Sequence, residues 1–158
     1  MHTISVVLTI LNEARDLNRL LGALIEQSHP PDEIIVVDGG STDGSIDILG
    51  DFTRRHDNFH YFVEAGVNIA KGRNIGVRES RGSIIAVTDG GCYPDKRWLE
   101  ELVRPLLNDR NLDAVAGSLK VEAHTEFERL AGLLSLPPVP AKNEAPAFYG
   151  RSSAFTRR

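Results

Sequence analysis

Polar residues that can do chemistry stand where apolar runs of this sequence end. Asp38 and Asp89 close the runs EIIVVD and IIAVTD, and Asn12-Glu13 follows a third run, ISVVLTI. Short apolar runs bounded by turn residues are typical of strands buried on both faces. In an open parallel sheet the ligand crevice lies beyond the carboxyl ends of such strands. We therefore expect these side chains to share one sheet edge, although a strand-ending Asp in a tight turn is the simpler interpretation of either one alone.

A nucleoside diphosphate suits this combination of side chains. Carboxylates accept hydrogen bonds from base N–H groups and ribose hydroxyls, Arg73 adds a guanidinium, and a divalent metal commonly holds a diphosphate. Gly90 and Gly91 follow Asp89, so a ligand can approach the backbone closely there. The GxGxxG and GxxxxGK[ST] signatures are absent from the sequence, which argues against a dinucleotide oxidoreductase and a P-loop enzyme.

The elements that must position these residues alternate between strands and helices. Asn12 and Asp95 are in place to cap two of the helices, and Pro105 is expected to kink or end the second of these. Gly72 and Gly76, four residues apart, predict close packing of the helix that contains them. Strands are predicted at residues 4–10, 33–38, 60–63, 84–89 and 114–121. Further helices are predicted at 69–80, at 126–135 and, after a turn at 39–44, in a short stretch that carries Ile46, Leu49 and Phe52. This alternation predicts an α/β fold, a three-layer α/β/α sandwich with a mostly parallel sheet.

Composition narrows the class of protein. A length of 158 residues fits one domain, and a net charge of −4 without a long basic run argues against nucleic acid as a partner. The single cysteine, Cys92, excludes an internal disulfide and a cysteine-rich zinc site. The sequence contains neither a signal-peptide pattern nor an apolar run long enough to span a membrane. We expect a cytoplasmic protein, with a peripheral position at the inner membrane surface left open.

The last part of the chain follows a different pattern. Residues 136–150 are rich in proline and lack periodicity, so we expect a mobile loop. Residues 151–158 resemble the beginning of a further element, and we expect them to be poorly anchored. The helix at 126–135 has apolar residues on one side, which a second copy of the chain or a further C-terminal segment would cover.

Four segments together resemble the family 2 glycosyltransferases, inverting enzymes of the Rossmann-like GT-A fold that use a nucleotide-sugar donor. These segments are SVVLTILNEARDLNRLL, EIIVVDGGSTDGS, GRNIGVRESRGSIIAVTDGGC and GRSSAFTRR. The resemblance implies transfer of a sugar, of hexosyl type, from a UDP or GDP donor to an acceptor hydroxyl with inversion. It implies a single domain over residues 1–158, with a donor-binding half at 1–122 and the start of the acceptor-side half at 123–158.

The resemblance also implies roles for individual residues around the base and ribose. Leu11, in place of the more usual tyrosine, and Glu13 would lie at the base and ribose. Asp38 would accept a hydrogen bond from the base, and Arg73 would reach the base from its helix. Arg151 belongs to the segment that frames the donor sugar and acceptor in this family.

The metal region departs from the family pattern. Asp89 would be the first Asp of the DxD motif, followed by Gly90, and would contact the ribose and the metal. The second Asp is Gly91 here, so Mg²⁺ or Mn²⁺ would bind through Asp89, diphosphate oxygens, water or Asp95.

The catalytic base and the acceptor are not assigned by the sequence. The family's base comes from an acidic motif downstream of SSAFTRR, so the resemblance implies a chain without the C-terminal part of the domain. A module that binds a nucleotide sugar without turnover is therefore a competing hypothesis. A nucleotidyltransferase is disfavoured, because the segment after the first strand, LNEAR, is not rich in glycine and basic residues.

Overall fold

Strands and helices alternate through residues 2–135 and 151–157, the part of the chain described by our computed structural model. The strands are β1 (Ile4–Ile10), β2 (Glu33–Asp38), β3 (Phe59–Val63), β4 (Ile84–Asp89), β5 (Ala114–Ala116) and β6 (Ser153–Thr156). The helices are α1 (Ala14–Ile25), α2 (Ser45–Arg55), α3 (Ile69–Glu79), α4 (Trp98–Asn108) and α5 (Glu126–Ser135). None of these helices is long and apolar enough to cross a membrane.

One sheet joins the six strands in the order β3-β2-β1-β4-β6-β5. The β1–β2, β1–β4 and β2–β3 pairs are parallel, whereas β6 runs antiparallel to both β4 and β5. Because three of the five pairings are parallel and the crossovers between the parallel strands are helical, the predicted α/β class and mostly parallel sheet are confirmed.

Two apolar clusters cover the two faces of the sheet. Ile4, Val6 and Leu8 of β1 pack against buried leucines of α1, α2 and α4. Val7 points to the other face of the sheet and belongs to the second cluster, against which Ile75 of α3 packs. Successive side chains of a strand point to opposite faces, so β1 is apolar on both and must lie between two layers. The predicted three-layer sandwich is confirmed.

The glycines of α3 allow this helix to lie very close to β1. A Cβ added at Gly72 would lie 2.8 Å from Thr9 Cγ2, and one added at Gly76 would lie within 3.0 Å of Val7 Cγ1. Real Cβ atoms essentially never come that close to another heavy atom. The predicted close packing of this helix is confirmed, and it brings Arg73 to the carboxyl end of the sheet.

The expectation that residues 151–158 are poorly anchored is wrong. Strand β6 lies inside the sheet, with Ala154 opposite Ala86 of β4 and Val115 of β5. Ser152, Ser153 and Ala154 are buried. Hydrogen bonding on both sides thus ties the segment down, and its partners are too distant in sequence for a local pattern to show them. The loop predicted at 136–150 lies outside the described residues.

Both predicted helix caps are wrong. Helix α1 has Glu13 at its N-cap position, and Asn12 precedes it with a φ of 54°. Helix α4 begins at Trp98 with Arg97 at the N-cap position. Asp95 instead contributes its backbone oxygen, which accepts hydrogen bonds from Trp98 N and Gln27 Nε2. Side chains from elsewhere in the fold accept from the first turn of each helix: Asp43 Oδ2 from Ala14 N of α1, and Gln27 Oε1 from Leu99 N of α4.

Four further boundaries differ from the prediction. Helix α3 ends at Glu79, one residue earlier than predicted. Helix α4 does not end at Pro105 but continues to Asn108, because its buried Leu102 and Leu106 pack on the sheet and offset the local cost of proline, about 3 kcal/mol. Strand β3 begins one residue earlier than predicted, at Phe59. Strand β5 covers only Ala114–Ala116, after which Gly117 N donates to Ser152 O.

Helix α5 exposes apolar side chains along one side. Phe127 is 80% exposed, Leu130 50% and Leu134 90%. Spacings of three and four residues place them on one helix face. The expected apolar surface is thus confirmed, and its coverage by a second copy or a further segment stays a prediction.

Candidate functional site

A cleft of about 750 Å³ opens at the carboxyl ends of β1 and β4. The start of α3 forms one wall, and Gly90, Gly91 and Cys92 form another. Of the residues predicted from the sequence, Leu11, Glu13, Asp89, Gly90 and Arg151 line this cleft. The fold thus brings together residues that lie far apart in the chain, at the sheet edge where an open parallel sheet holds its ligand.

Part of the cleft wall is apolar and open to solvent. Leu11 is 55% exposed and Ile69 58%, and Val67 also belongs to the lining. A Cβ added at Gly39 would lie 3.5 Å from Leu11 Cδ1, so the chain after β2 passes closely behind this leucine. Exposed apolar side chains in a cleft provide a surface on which a planar ring can pack.

Arg73 and Asp89 form an ion pair beside the cleft. Arg73 Nη2 lies 2.5 Å from Oδ1 and 2.6 Å from Oδ2 of Asp89, and the two side chains are 26% and 15% exposed. Arg73 itself is not part of the cleft lining. The guanidinium therefore neutralises and orients the Asp89 carboxylate from behind, and Arg73 Nε is buried without a hydrogen-bond partner among the described residues.

Thr9 is a residue of the site that our sequence analysis missed. It is paired with Asp89 in the β1–β4 register, lines the floor of the cleft and is 8% exposed. Within the described part of the chain, its Oγ1 is buried without a hydrogen-bond partner. The sequence could have indicated it. Thr9 and Ser5 are the two polar residues of the run ISVVLTI, and Thr9 is the one near its carboxyl end, on the same face of the strand as Val7.

Glu13 lies against the glycine that follows β4. A Cβ added at Gly90 would lie 2.7 Å from Glu13 Oε1, so only glycine leaves room for this carboxyl group. Burial raises the pKa of Glu13, and the nearby charges of Asp16 and Asp43 raise it further. Glu13 therefore retains its proton to a higher pH than an ordinary glutamate.

Asp38 is occupied by its own loop rather than presented to the cleft. Its side chain is fully buried, and it does not belong to the cleft lining. Oδ1 accepts hydrogen bonds from Gly40 N (2.8 Å) and Ser41 N (2.7 Å), and Oδ2 accepts one from Ser41 Oγ (2.6 Å). Gly40 has a φ of 97°, a backbone region that favours glycine. The predicted contact with a base is not tested by this geometry.

The described residues do not by themselves build a metal site. They contain no group of three or more His, Cys, Asp or Glu side chains that could hold an ion. Asp89 has both oxygens on Arg73, and Gly91, at the position of the second Asp of DxD, has a φ of 72° and open space around it. Burial raises the pKa of the Cys92 thiol, which disfavours the thiolate that metals bind.

In an open α/β sheet the ligand binds in the crevice beyond the carboxyl ends of the strands, which is where this cleft lies, so the fold and cleft define an α/β ligand-binding protein. The family model of Glycosyl transferase family 2 matches residues 5–154. The chain therefore belongs to the family 2 glycosyltransferases.

Curated relatives agree with this family. The chain is 34% identical over 122 residues to Glycosyltransferase AglE of Haloferax volcanii, a match that covers 74% of this chain and 39% of the relative. It is 33% identical over 124 residues to the Probable glycosyltransferase YdaM of Bacillus subtilis, covering 75% and 30% respectively. The chain thus spans less than half the length of these two relatives.

Solved structures show the GT-A fold. The mannosyltransferase PcManGT of Pyrobaculum calidifontis, in complex with GDP-Man and Mn²⁺, matches with a TM-score of 0.74 and 24% identity, over 99% of this chain and 45% of that one. TarS 1–349 of S. aureus, in complex with UDP-GlcNAc, matches with a TM-score of 0.65 and 22% identity, over 75% and 34%. At these identities the likeness establishes the fold alone.

Proposed function

We propose that this chain binds a nucleoside diphosphate sugar in the cleft and serves as the donor-binding part of an inverting glycosyltransferase. The observation that carries the proposal is the ion-paired Asp89 at the carboxyl edge of the sheet, beside Glu13 and an exposed apolar wall. Family membership supports glycosyl transfer. The complexes of similar folds with GDP-Man and UDP-GlcNAc support a donor of UDP or GDP type that carries a hexose.

The cleft suggests how such a donor would lie. The base packs on Leu11 and Ile69, and the ribose hydroxyls meet the carboxyl groups of Glu13 and Asp89. Arg73 acts through Asp89, and Gly90 leaves room for the ligand. In this proposal a base N–H would bind Asp38 Oδ2, which accepts one hydrogen bond from the described residues, and the base would have to displace the loop that buries this carboxylate. In this proposal residues 1–122 form the donor-binding half and 123–158 begin the acceptor side.

We expect a divalent metal to bind this site together with the nucleotide rather than by itself. Asp89 can supply one carboxylate ligand, and the remaining ligands would come from the diphosphate and from water, as Mg²⁺ and Mn²⁺ commonly share coordination with phosphates. The Mn²⁺ in the PcManGT complex supports this choice of ion. We expect weak Mn²⁺ binding to the protein alone and tighter binding once UDP or GDP is present. Tight binding to the free protein that survives Asp89→Ala would show that the site is elsewhere.

Calorimetric titration with UDP and GDP tests donor binding. Asp89→Asn removes the charge of the central carboxylate, so we expect an affinity loss of about 10-fold or more. Asp51→Asn is the matched control, because it breaks an exposed Arg–Asp pair, that with Arg54 on α2, outside the cleft lining. Unchanged affinity in Asp89→Asn, or no binding by the unaltered chain, would refute the proposal.

Turnover separates a transferase from a binding module. No catalytic base is assigned to this chain, and the loss of a positioned base typically costs 10²–10⁴-fold in rate. We therefore expect nucleotide binding with slow donor hydrolysis at most from these residues alone. Assays with UDP- and GDP-sugars and a panel of acceptors decide the point. Rapid transfer would mean that a carboxylate within residues 1–158 acts as the base.

A further inference from the structure

The 38–45 loop, which runs from the last residue of β2 to the first residue of α2, caps the turn that leads from β1 into α1. Three consecutive backbone N–H groups of that turn each donate to an oxygen of a loop side chain. These bonds are Asn12 N to Ser41 Oγ (2.7 Å), Glu13 N to Ser45 Oγ (3.0 Å) and Ala14 N to Asp43 Oδ2 (2.9 Å). Helix α1 has no side-chain cap of its own. The first N–H groups of a helix lack intrahelical partners. Here Asp43 supplies the partner of Ala14 N, the first N–H of the helix, and Ser41 and Ser45 supply those of the two residues before it.

The capping oxygens are themselves fixed. The Ser41 hydroxyl donates to Asp38 Oδ2 at 2.6 Å, and the Ser45 hydroxyl donates to Asp43 Oδ1 at 2.6 Å. Each hydroxyl thus donates its proton to a carboxylate and accepts, through a lone pair, from a backbone N–H of the turn between β1 and α1. Ser41 and Ser45 are 8% and 0% exposed, so water does not compete freely for these bonds. Asp38 is therefore the first member of a chain of hydrogen bonds that runs through the Ser41 hydroxyl to Asn12 N.

The capped turn has a backbone that needs support. Asn12 has a φ of 54°, in the left-handed region that non-glycine residues seldom adopt, although asparagine is enriched there. Its side chain makes a bond in the opposite direction, because Asn12 Oδ1 accepts a hydrogen bond from Thr42 N of the loop at 2.9 Å. Residue 12 is flanked by Leu11 and Glu13, which both line the cleft. Its conformation sets the direction in which these two side chains leave the backbone.

The same bonds restrict where a diphosphate can bind. A helix N-terminus with free N–H groups is a ready anion site. At α1 the first helical N–H, that of Ala14, and the N–H groups of residues 12 and 13 in the preceding turn already have oxygen partners. A phosphate would have to displace a serine or aspartate oxygen to use them.

We propose that Ser41 and Ser45 are positioning residues, through which the 38–45 loop holds Leu11 and Glu13 in the orientation that binds the donor. This inference rests on the proposed function, because the side chains it positions are those assigned to the base and ribose. It adds that Asp38 acts on the donor through Ser41 and Asn12, over and above any direct contact.

Amide hydrogen exchange tests the caps without any ligand. In Ser45→Ala we expect faster exchange at Glu13 N, and in Ser41→Ala at Asn12 N, because each amide loses its acceptor. Ser80→Ala is the matched control: Ser80 is 3% exposed, and its hydroxyl donates to Val77 O at 2.8 Å, away from the cleft. Unchanged exchange at residues 12 and 13 in folded variants would overturn the proposal, whatever the chain binds.

A double-mutant cycle in nucleotide affinity then tests positioning. Because Glu13 would no longer be held in one orientation, Ser45→Ala should weaken UDP or GDP binding by about 5-fold, which corresponds to about 1 kcal/mol in binding free energy. If Ser45 acts through Glu13, its substitution should change affinity less than 2-fold in a Glu13→Gln background. Equal losses in both backgrounds, or unchanged affinity with faster exchange, would overturn positioning. Should Ser45→Ala not fold, Ser41→Ala paired with Leu11→Ala gives the same cycle.

The two proposals fail in different ways. If the unaltered chain binds neither nucleotide, the proposed function fails and the positioning role falls with it, while the exchange data still report on the caps. If the unaltered chain binds and Asp89→Asn weakens it, but the cycle is additive, only the positioning role is refuted.

Discussion

Replacement of Gly76 by Ala tests the packing of α3 on the sheet. The added Cβ would lie within 3.0 Å of Val7 Cγ1 and 3.5 Å from Val37 Cγ2. Val7 is fully buried and Val37 is 1% exposed. Because a valine is stiff about χ1, its methyl group cannot turn aside cheaply. Helix α3 must therefore move away from β1, and Arg73 must move with it.

Two opposing effects set the size of the change. Alanine in place of glycine in a helix interior gains about 1 kcal/mol from helix propensity. Overpacking in a well-packed core costs about 1–3 kcal/mol. The intruding atom meets a buried β-branched side chain in the middle of the sheet, so the upper part of that range applies. We expect a net loss of about 1–2 kcal/mol in the free energy of unfolding.

Urea unfolding followed by circular dichroism measures this loss. Gly22→Ala in α1 is the matched control, because a Cβ there would have no heavy atom within 4 Å. That variant should gain stability by about 0.4–1 kcal/mol. The same substitution in two helices is thus expected to have opposite signs.

The reasoning can be refuted in two ways. Gly76→Ala that stabilises the protein as much as Gly22→Ala would show that α3 does not contact β1 so closely. A second check uses Val7→Ala, which removes the methyl group that the new Cβ meets. In that background Gly76→Ala should be neutral or stabilising, and an undiminished loss would exclude Val7 as the cause.

Two further predictions concern a buried hydrogen bond of Trp98 and the ionisation of Glu13. Trp98→Phe removes the 3.0 Å hydrogen bond from Nε1 to the buried Ser152 Oγ, so the urea midpoint should fall by the equivalent of about 1–2 kcal/mol; no change would mean that β6 is held by its backbone pairing alone. Glu13→Gln should raise the midpoint at pH 7, because the raised pKa means that folding disfavours the charged form. The sign follows from proton binding: the native state keeps this proton as the pH rises above 4.5, the unfolded state loses it, and native stability falls. The gain should therefore vanish below about pH 4.5, and a gain independent of pH would contradict this cause.

The parallel part of the fold could be predicted from local pattern. Strands β1, β2 and β4 are apolar on both faces, which identifies them as interior strands between helical layers, and their common direction gathers Glu13 and Asp89 at one edge. The cleft lining confirms that placement. Such features need only the sequence of each element and the handedness of its connection.

The rest depends on partners distant in sequence. Asn12 looks like a cap because asparagine often is one, yet the oxygens that satisfy this turn come from Ser41, Asp43 and Ser45. The environment of Asp38 is set by the conformation of its loop, which a strand-ending Asp does not reveal. Thr9 could have been found by parity alone, since it follows Val7 on the face that α3 covers.

The insertion of β6 between β4 and β5 has a consequence for folding. Strand β4 joins β1 only after the chain has passed through β2 and β3, and β6 joins β4 only after a further passage through α4, β5 and α5. Pairing of such high contact order is slow. During synthesis β4 would emerge and wait as an edge strand with unpaired N–H and C=O groups, the type of surface that recruits other chains. Arrival of Ser153–Thr156 closes that edge, so these few residues determine how long the nascent sheet is open to aggregation.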